Sequence, residues 1–285
     1  MAVDSNQLFI SSKKNSMGIT PTTVFFVLLV CAKIFFNYLG LPILYQNLFF
    51  GVFLLVAFLC FVEHFIYIVL PTRLIFQGNY DGSLDLYYRG WKKSILAKID
   101  KVFRQNIMIG IAINYSRKGN FESSLKWLEK INEEKPATRA VRWYYSSLYA
   151  NNLLLFKRNV KRAEEFINIA LFIYPNHYFA KVLKLLECYL CLLVNKQEKA
   201  TALVEEYIAS QQSKPKKSLL TSFLELIYGN DEAYTSAAEN FYLGYYYKAL
   251  NDLEQARIHF KITASCPQDN FYKQKAKEYL NGISV

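Results

Sequence analysis

GNFESSLKWLEK, Gly119 to Lys130, echoes GNYDGSLDLYYR, Gly78 to Arg89, which begins 41 residues earlier and matches it in kind at nearly every position. Three weaker copies follow: RNVKRAEEFINIA from Arg158, NKQEKATALVEEY from Asn195 and NDLEQARIHFKIT from Asn251. Each keeps a turn, an apolar or long residue, a small residue three further on, and another apolar residue one helical turn beyond. The small residues are Ser83, Ser124, Ala163, Ala200 and Ala256, at intervals of 41, 39, 37 and 56 residues. An echo of this length marks stacked units, none of which can bury its apolar face alone.

A small side chain followed four residues later by a large one puts both on one helix face, so that a preceding antiparallel helix can approach closely. Each copy therefore reads as the second helix of a pair. Asn106 to Lys118, Arg142 to Phe156, Tyr178 to Val194 and Ser236 to Leu250 carry apolar residues at helical spacing and supply the first helices. No strand-length alternation interrupts them, so the expected fold class is all-α.

These residues resemble the tetratricopeptide repeat. Ile111, Ala112, Tyr115, Gly119, Phe121, Ser124, Leu128, Ile131 and Pro136 reproduce that family's series of large, small, aromatic, turn glycine, aromatic, small, large, small and proline. Leu243, Gly244, Tyr247, Ala256 and Phe260 match it again, and Ala163, Ile167, Ala170 and Pro175 keep its second half. The family period is about 34 residues, so the longer intervals imply extended helices or altered loops. The interval of 56 implies an extra helix between Ser218 and Gly229 or a degenerate repeat. The resemblance implies a solenoid over roughly Gly78 to Leu280 that binds a partner protein on a concave face lined by the first helices. Carried over by register, that face comprises Ile109, Ile113, Ser116 and Arg117, then Leu148, Asn152 and Leu155, then Tyr189, then Phe241, Tyr245 and Lys248. Its aliphatic members serve equally as inter-repeat core. Tyr189, Tyr245, Asn152 and Lys248 are the sharper candidates, aromatic anchors being prominent at protein interfaces.

Ahead of the copies the composition changes. From Val24 to Leu70 the acidic, basic and imidazole side chains are Lys33, Glu63 and His64 alone. Residues 22–45 and 48–70 are each long enough to cross a hydrocarbon core of about 30 Å at about 1.5 Å per residue, with Gly40 to Pro42 between them. They read as a two-helix transmembrane hairpin at 22–72, after an N-terminal tail at 1–21 and before a helical domain at 73–285. A cleaved leader would require a small-residue cleavage pattern before the second span, and none follows the first. Lys13 and Lys14 flank the first span, and Arg73, Arg89, Lys92, Lys93 and Lys98 follow the second, so the positive-inside rule sets both termini and the helical domain in the cytoplasm of a multi-pass protein. Gly78 has Pro71 and the end of the second span where its preceding helix would lie, which suggests that the hairpin caps the solenoid.

Lys33 lies near the middle of the first span, where an ionisable side chain snorkels or is paired. Lys33 and Glu63 sit at different depths. Either Lys33 snorkels, with Glu63 and His64 near the cytosolic interface, or Lys33 meets a polar group on another membrane protein or on a second copy of this chain, Glu63 being the other candidate for an intramembrane polar contact. The net charge of +11 gathers partly at Arg89, Lys92, Lys93, Lys98, Lys101 and Arg104, where an anionic lipid surface is the expected partner. Nucleic acid is not expected, since the repeats carry no reiterated base-reading position.

No phosphate loop, dinucleotide fingerprint, HExxH or nucleophile elbow occurs, and the three histidines, His64, His177 and His259, are far apart in sequence. Neither catalysis nor a cofactor or metal is indicated. Cys188 and Cys191 have redox or zinc spacing, but they lie mid-helix with no second pair nearby and fall on packing positions. The expected function is a membrane-anchored interaction scaffold or adaptor. The alternative is an accessory or regulatory subunit of a membrane enzyme or transporter, bound through the hairpin and Lys33.

Overall fold

A computed structural model describes residues 42–156, 159–174, 180–212 and 231–283, and every element among them is helical. Contacts divide the chain into two compact units, Met1–Leu59 and Cys60–Val285. In the first, the described residues form most of helix α1, Ile43–His64. Leu48, Leu54, Phe58 and Leu59 lie on its exposed surface. The N-terminal tail, Lys33 and nearly all of the first expected span lie outside the described residues. Among the described residues one helix is long and apolar enough to cross a membrane, Asn47–Phe76, which is 30 residues long.

That helix does not end at Leu70. A π-helical turn, Phe65–Val69, leads into α2, Leu70–Phe76. Pro71 explains the turn. It has no N–H for the carbonyl of Tyr67 and its ring crowds that carbonyl, so the hydrogen-bond ladder is displaced upstream. The hydroxyl of Thr72 donates to the Ile68 carbonyl at 2.6 Å and pairs with the Tyr87 hydroxyl at 2.9 Å. Ile68, Val69 and Ile75 are buried, and Ile68 and Ile75 share a core cluster with Tyr80, Leu84 and Tyr87 of the next helix, α3, Tyr80–Lys93. The end of the apolar helix thus stands where the copy at Gly78 needs a preceding helix, and Pro71 lies within it.

A short helix α4, Ile95–Ile99, precedes α5, Lys101–Arg117, and α6, Phe121–Glu134. Then come α7, Arg139–Leu155, with α8, Val160–Ile173, and α9, Ala180–Leu193, with α10, Gln197–Gln212. The last described helices are α11, Glu232–Ala249, α12, Leu253–Ala264, and α13, Phe271–Ile283. Helices α5/α6, α7/α8, α9/α10 and α11/α12 pack as pairs, and the first helices also pack on one another, α5 on α7, α7 on α9 and α9 on α11.

The twice-written stretch is the device that turns each first helix into its second. Gly78, Gly119, Asn195 and Asn251 all adopt left-handed conformations, with φ of +80°, +78°, +59° and +62°. In all four the next residue's N–H bonds the carbonyl five residues back at 2.8–3.0 Å, and the left-handed residue bonds the carbonyl three back. That double bond satisfies the last carbonyls of the outgoing helix. Asn79 and Asn120 then cap the incoming helix, accepting from Gly82 N and Ser123 N at 3.0 and 3.1 Å. Asn159 and Asp252 do the same for α8 and α12.

Ser83, Ser124, Ala163, Ala200 and Ala256 each have 0% exposure, so all five small positions sit where helices meet. Between α10 and α11, residues 213–230 lie outside the described residues, and with them the extra helix expected in the interval of 56.

The C-terminal helices pack back onto the first two pairs. Phe271 meets Phe121 edge to face at 4.8 Å, Gln268 Nε2 donates to the Phe76 carbonyl, and the Gln268 side chain covers Gly78. Helix α11 brings Asp231 to Arg117 and Tyr242 to Asn151.

Candidate functional site

A cavity of about 610 Å³ lies among the first helices of the pairs, which is the face expected to receive a partner. Ile109 and Ile113 of α5, Tyr144 and Leu148 of α7, and Leu183 and Leu186 of α9 line it. Ile75 and Phe76 close it from the end of the apolar helix, and Asp231, Tyr234 and Tyr272 from the C-terminal helices. Its walls are mainly aliphatic and aromatic. It therefore suits apolar side chains better than a polar metabolite.

Arg117, one of the residues carried over for partner contact, is 5% exposed. Its Nη1 donates to Asp231 Oδ1 at 2.9 Å, its Nη2 to Asp231 Oδ2, and its guanidinium lies over the Tyr234 ring at 3.8 Å. Burial disfavours the charged guanidinium, but the Asp231 carboxylate outweighs burial and raises its pKa further above the usual arginine range. Arg117 thus clamps α5 to the start of α11 inside the chain.

Asn152 has 0% exposure: Ser116 Oγ donates to its Oδ1 at 2.6 Å, and its Nδ2 donates to Ser124 Oγ at 2.7 Å. Asn114 repeats the arrangement one pair earlier, donating to Ser83 Oγ at 3.0 Å. The small position of a second helix thus accepts from an asparagine of the following first helix. Sequence reading missed this role, although Ala112-Ile113-Asn114 and Ala150-Asn151-Asn152 place the two asparagines in the same register. Phe241 and Tyr189 are also buried, with Tyr189 5.6 Å from Tyr242 and 5.2 Å from Tyr245. Tyr245 is half-buried against Phe241, while Lys248 is exposed with its Nζ 4.6 Å from the Tyr279 ring.

Of the proposed concave set, Arg117, Asn152, Tyr189 and Phe241 thus contact their own chain, and Lys248 reaches solvent. Asn151, Tyr242 and Tyr272 form a further polar knot that sequence reading missed. Asn151 Oδ1 accepts from Tyr242 at 2.6 Å and from Tyr272 at 3.2 Å.

Glu63 is bonded within its own chain. Its carboxylate accepts from Ser94 Oγ at 2.6 Å, Ile95 N at 3.1 Å and Leu96 N at 2.9 Å, and so caps α4. These three bonds lie within the chain, and Lys33, the other residue expected to make an intramembrane polar contact, lies outside the described residues. Lys92, Lys93 and Lys98 are exposed around the same helix.

Cys188 and Cys191 are free thiols, each 1% exposed. Burial pushes the Cys188 thiol up to about 12 and raises that of Cys191. A buried thiol held protonated is a poor nucleophile and a poor metal ligand. Iodoacetamide at neutral pH is therefore expected to leave both unmodified in the folded chain and to alkylate both after denaturation, as read by peptide mass. Native alkylation of either would remove the packing interpretation.

No family model, no curated protein and no solved structure matches this chain.

Proposed function

We propose that this chain is a membrane-anchored scaffold in which a tetratricopeptide-like helical solenoid holds a partner protein at the cytoplasmic side of the membrane. In this reading residues 22–72 form a two-span hairpin, both termini are cytoplasmic, and the helix pairs after it present the partner surface. The observation that carries the reading is the double use of one helix. Asn47–Phe76 is apolar enough to cross a bilayer, and its last turns are the first helix of the first pair. An anchor and a repeat built from one helix suit a protein that holds something at a fixed place on a membrane.

The cavity among the first helices supports a partner surface there. Tyr144 lines the cavity and is 42% exposed, unlike the buried aromatic residues around it. A rigid, amphipathic tyrosine beside an apolar cavity fits an interface anchor, which costs about 2 kcal/mol or more when truncated. The test is crosslinked purification from membranes with the full chain, its Tyr144→Ala variant and its Lys33→Leu variant. Loss of one protein with Tyr144→Ala, at about thirtyfold, and its retention with Lys33→Leu are the expected results. The opposite pattern would transfer the function to the hairpin and favour an accessory subunit of a membrane complex.

A further inference from the structure

Helix α4 presents an unusual surface. Ile95 is 65% exposed and Ile99 is 75% exposed, and a spacing of four residues puts them on one helix face. Ala97, between them, is buried at 2% exposure. The stretch Trp91 to Ile99 contains Lys92, Lys93 and Lys98 and no acidic residue, and all three lysines are exposed. Two apolar tips among three lysines, with Asp100 the one acid directly beside them, complement an anionic phospholipid surface.

The position of α4 supplies the second argument. Ile43 to Val62 is a run of 20 residues without a charge, about 30 Å of helix and so one hydrocarbon thickness. Glu63 is the first charged residue after it, and its carboxylate is bonded directly to Ser94, Ile95 and Leu96. Ile95 is thereby tied to the point where the apolar run ends. At the other end of α4, Arg104 Nη1 donates to the Ala97 carbonyl at 3.2 Å while Arg104 pairs with Glu134 of α6. The short helix is thus fixed both to the end of the apolar run and to the second pair.

We propose that α4 is a membrane-surface wedge: Ile95 and Ile99 enter the acyl boundary beside the anchor, and Lys92, Lys93 and Lys98 engage anionic phospholipid headgroups. The wedge rests on the reading of the apolar helix, up to Val62, as a membrane anchor, and adds that the helical domain touches the bilayer through a second element. Two attachments stop the domain swivelling about one helix, so the partner surface keeps a fixed attitude to the membrane.

The test uses the full chain in nanodiscs of phosphatidylcholine with and without phosphatidylglycerol. A photo-crosslinking residue, p-benzoylphenylalanine, replaces Ile99 in one sample. In another it replaces Phe172, which is 60% exposed on α8. A phospholipid adduct at position 99, about tenfold above that at 172, is the expected result. Changing Lys92, Lys93 and Lys98 together to glutamine should remove most of the increase that phosphatidylglycerol brings. Equal adduct yields at 99 and 172 would overturn the wedge. Alkaline carbonate extraction of native membranes separates this from failure of the anchor itself. A chain that washes off has no anchor, whereas one that stays but forms no adduct at 99 has an anchor without the wedge.

Discussion

Replacing Arg117 by methionine is expected to destabilise the helical domain by about 3–5 kcal/mol, the usual consequence of stranding one member of a buried ion pair. The Arg117 side chain is 6% exposed and that of Asp231 11%, so solvent screens neither. Arg117→Met leaves the Asp231 carboxylate without its two guanidinium bonds and removes the cation from the face of Tyr234. Asp231→Asn should cost less, because the amide oxygen still accepts one bond. The informative variant is the double change Arg117→Met/Asp231→Leu. With no charge left to strand, it should recover most of the loss. Chemical denaturation of the full chain in detergent micelles, followed by tyrosine and tryptophan fluorescence, measures all three. If Arg117→Met alone unfolds at the wild-type midpoint, the clamp between α5 and α11 does not exist in solution.

That clamp shows where the sequence stopped being legible. The turns could be read because their cause is local. A left-handed residue at Gly119 or Asn251 and a capping Asn120 or Asp252 act within one turn of helix. The small positions could be read for the same reason, since Ser124 and Leu128 share a face by spacing alone. Arg117 and Asp231 are 114 residues apart, and nothing in either neighbourhood announces the other. The aromatic run Phe241-Tyr242-Leu243-Gly244-Tyr245 was legible as a first helix, but not as the element that brings Tyr242 to Asn151. Register gave Asn152, Phe241 and Arg117 the right helices and the wrong neighbours. Around Arg117, Asn151 and Phe241 that face meets the C-terminal helices, and the cavity beside Tyr144 is the part left along it. Glu63 was legible as a charge near the end of the apolar stretch but not as the cap of α4, because its partners, Ser94 to Leu96, lie 31 to 33 residues further on.

Gly110→Ala tests how firmly the end of the apolar helix is joined to the second pair. In an exposed helix the change is favourable by about 1 kcal/mol. Gly282, in the last turn of α13, where an added β-carbon would meet nothing within 4 Å, is a position at which Gly→Ala should show part of that gain. At Gly110 a β-carbon would stand 2.2 Å from Tyr87 Cζ and 2.5 Å from the nearest ring carbon beside it. A flexible ring could swing aside at little cost, but Tyr87 is 3% exposed and its hydroxyl is paired with that of Thr72 on α2. The ring is therefore held on one side by the end of the apolar helix and on the other by the bare backbone of α5. Overpacking of this kind costs about 1–3 kcal/mol, and we expect the upper end of that range for Gly110→Ala. Tyr87→Leu in the same chain should relieve the clash and recover part of the loss, at the expense of the Thr72 hydrogen bond. A Gly110→Ala chain as stable as the wild type would mean that Tyr87 is free to leave. The apolar helix would then be joined to the second pair loosely, and a scaffold that fixes its partner's attitude to the membrane would lose the joint it depends on.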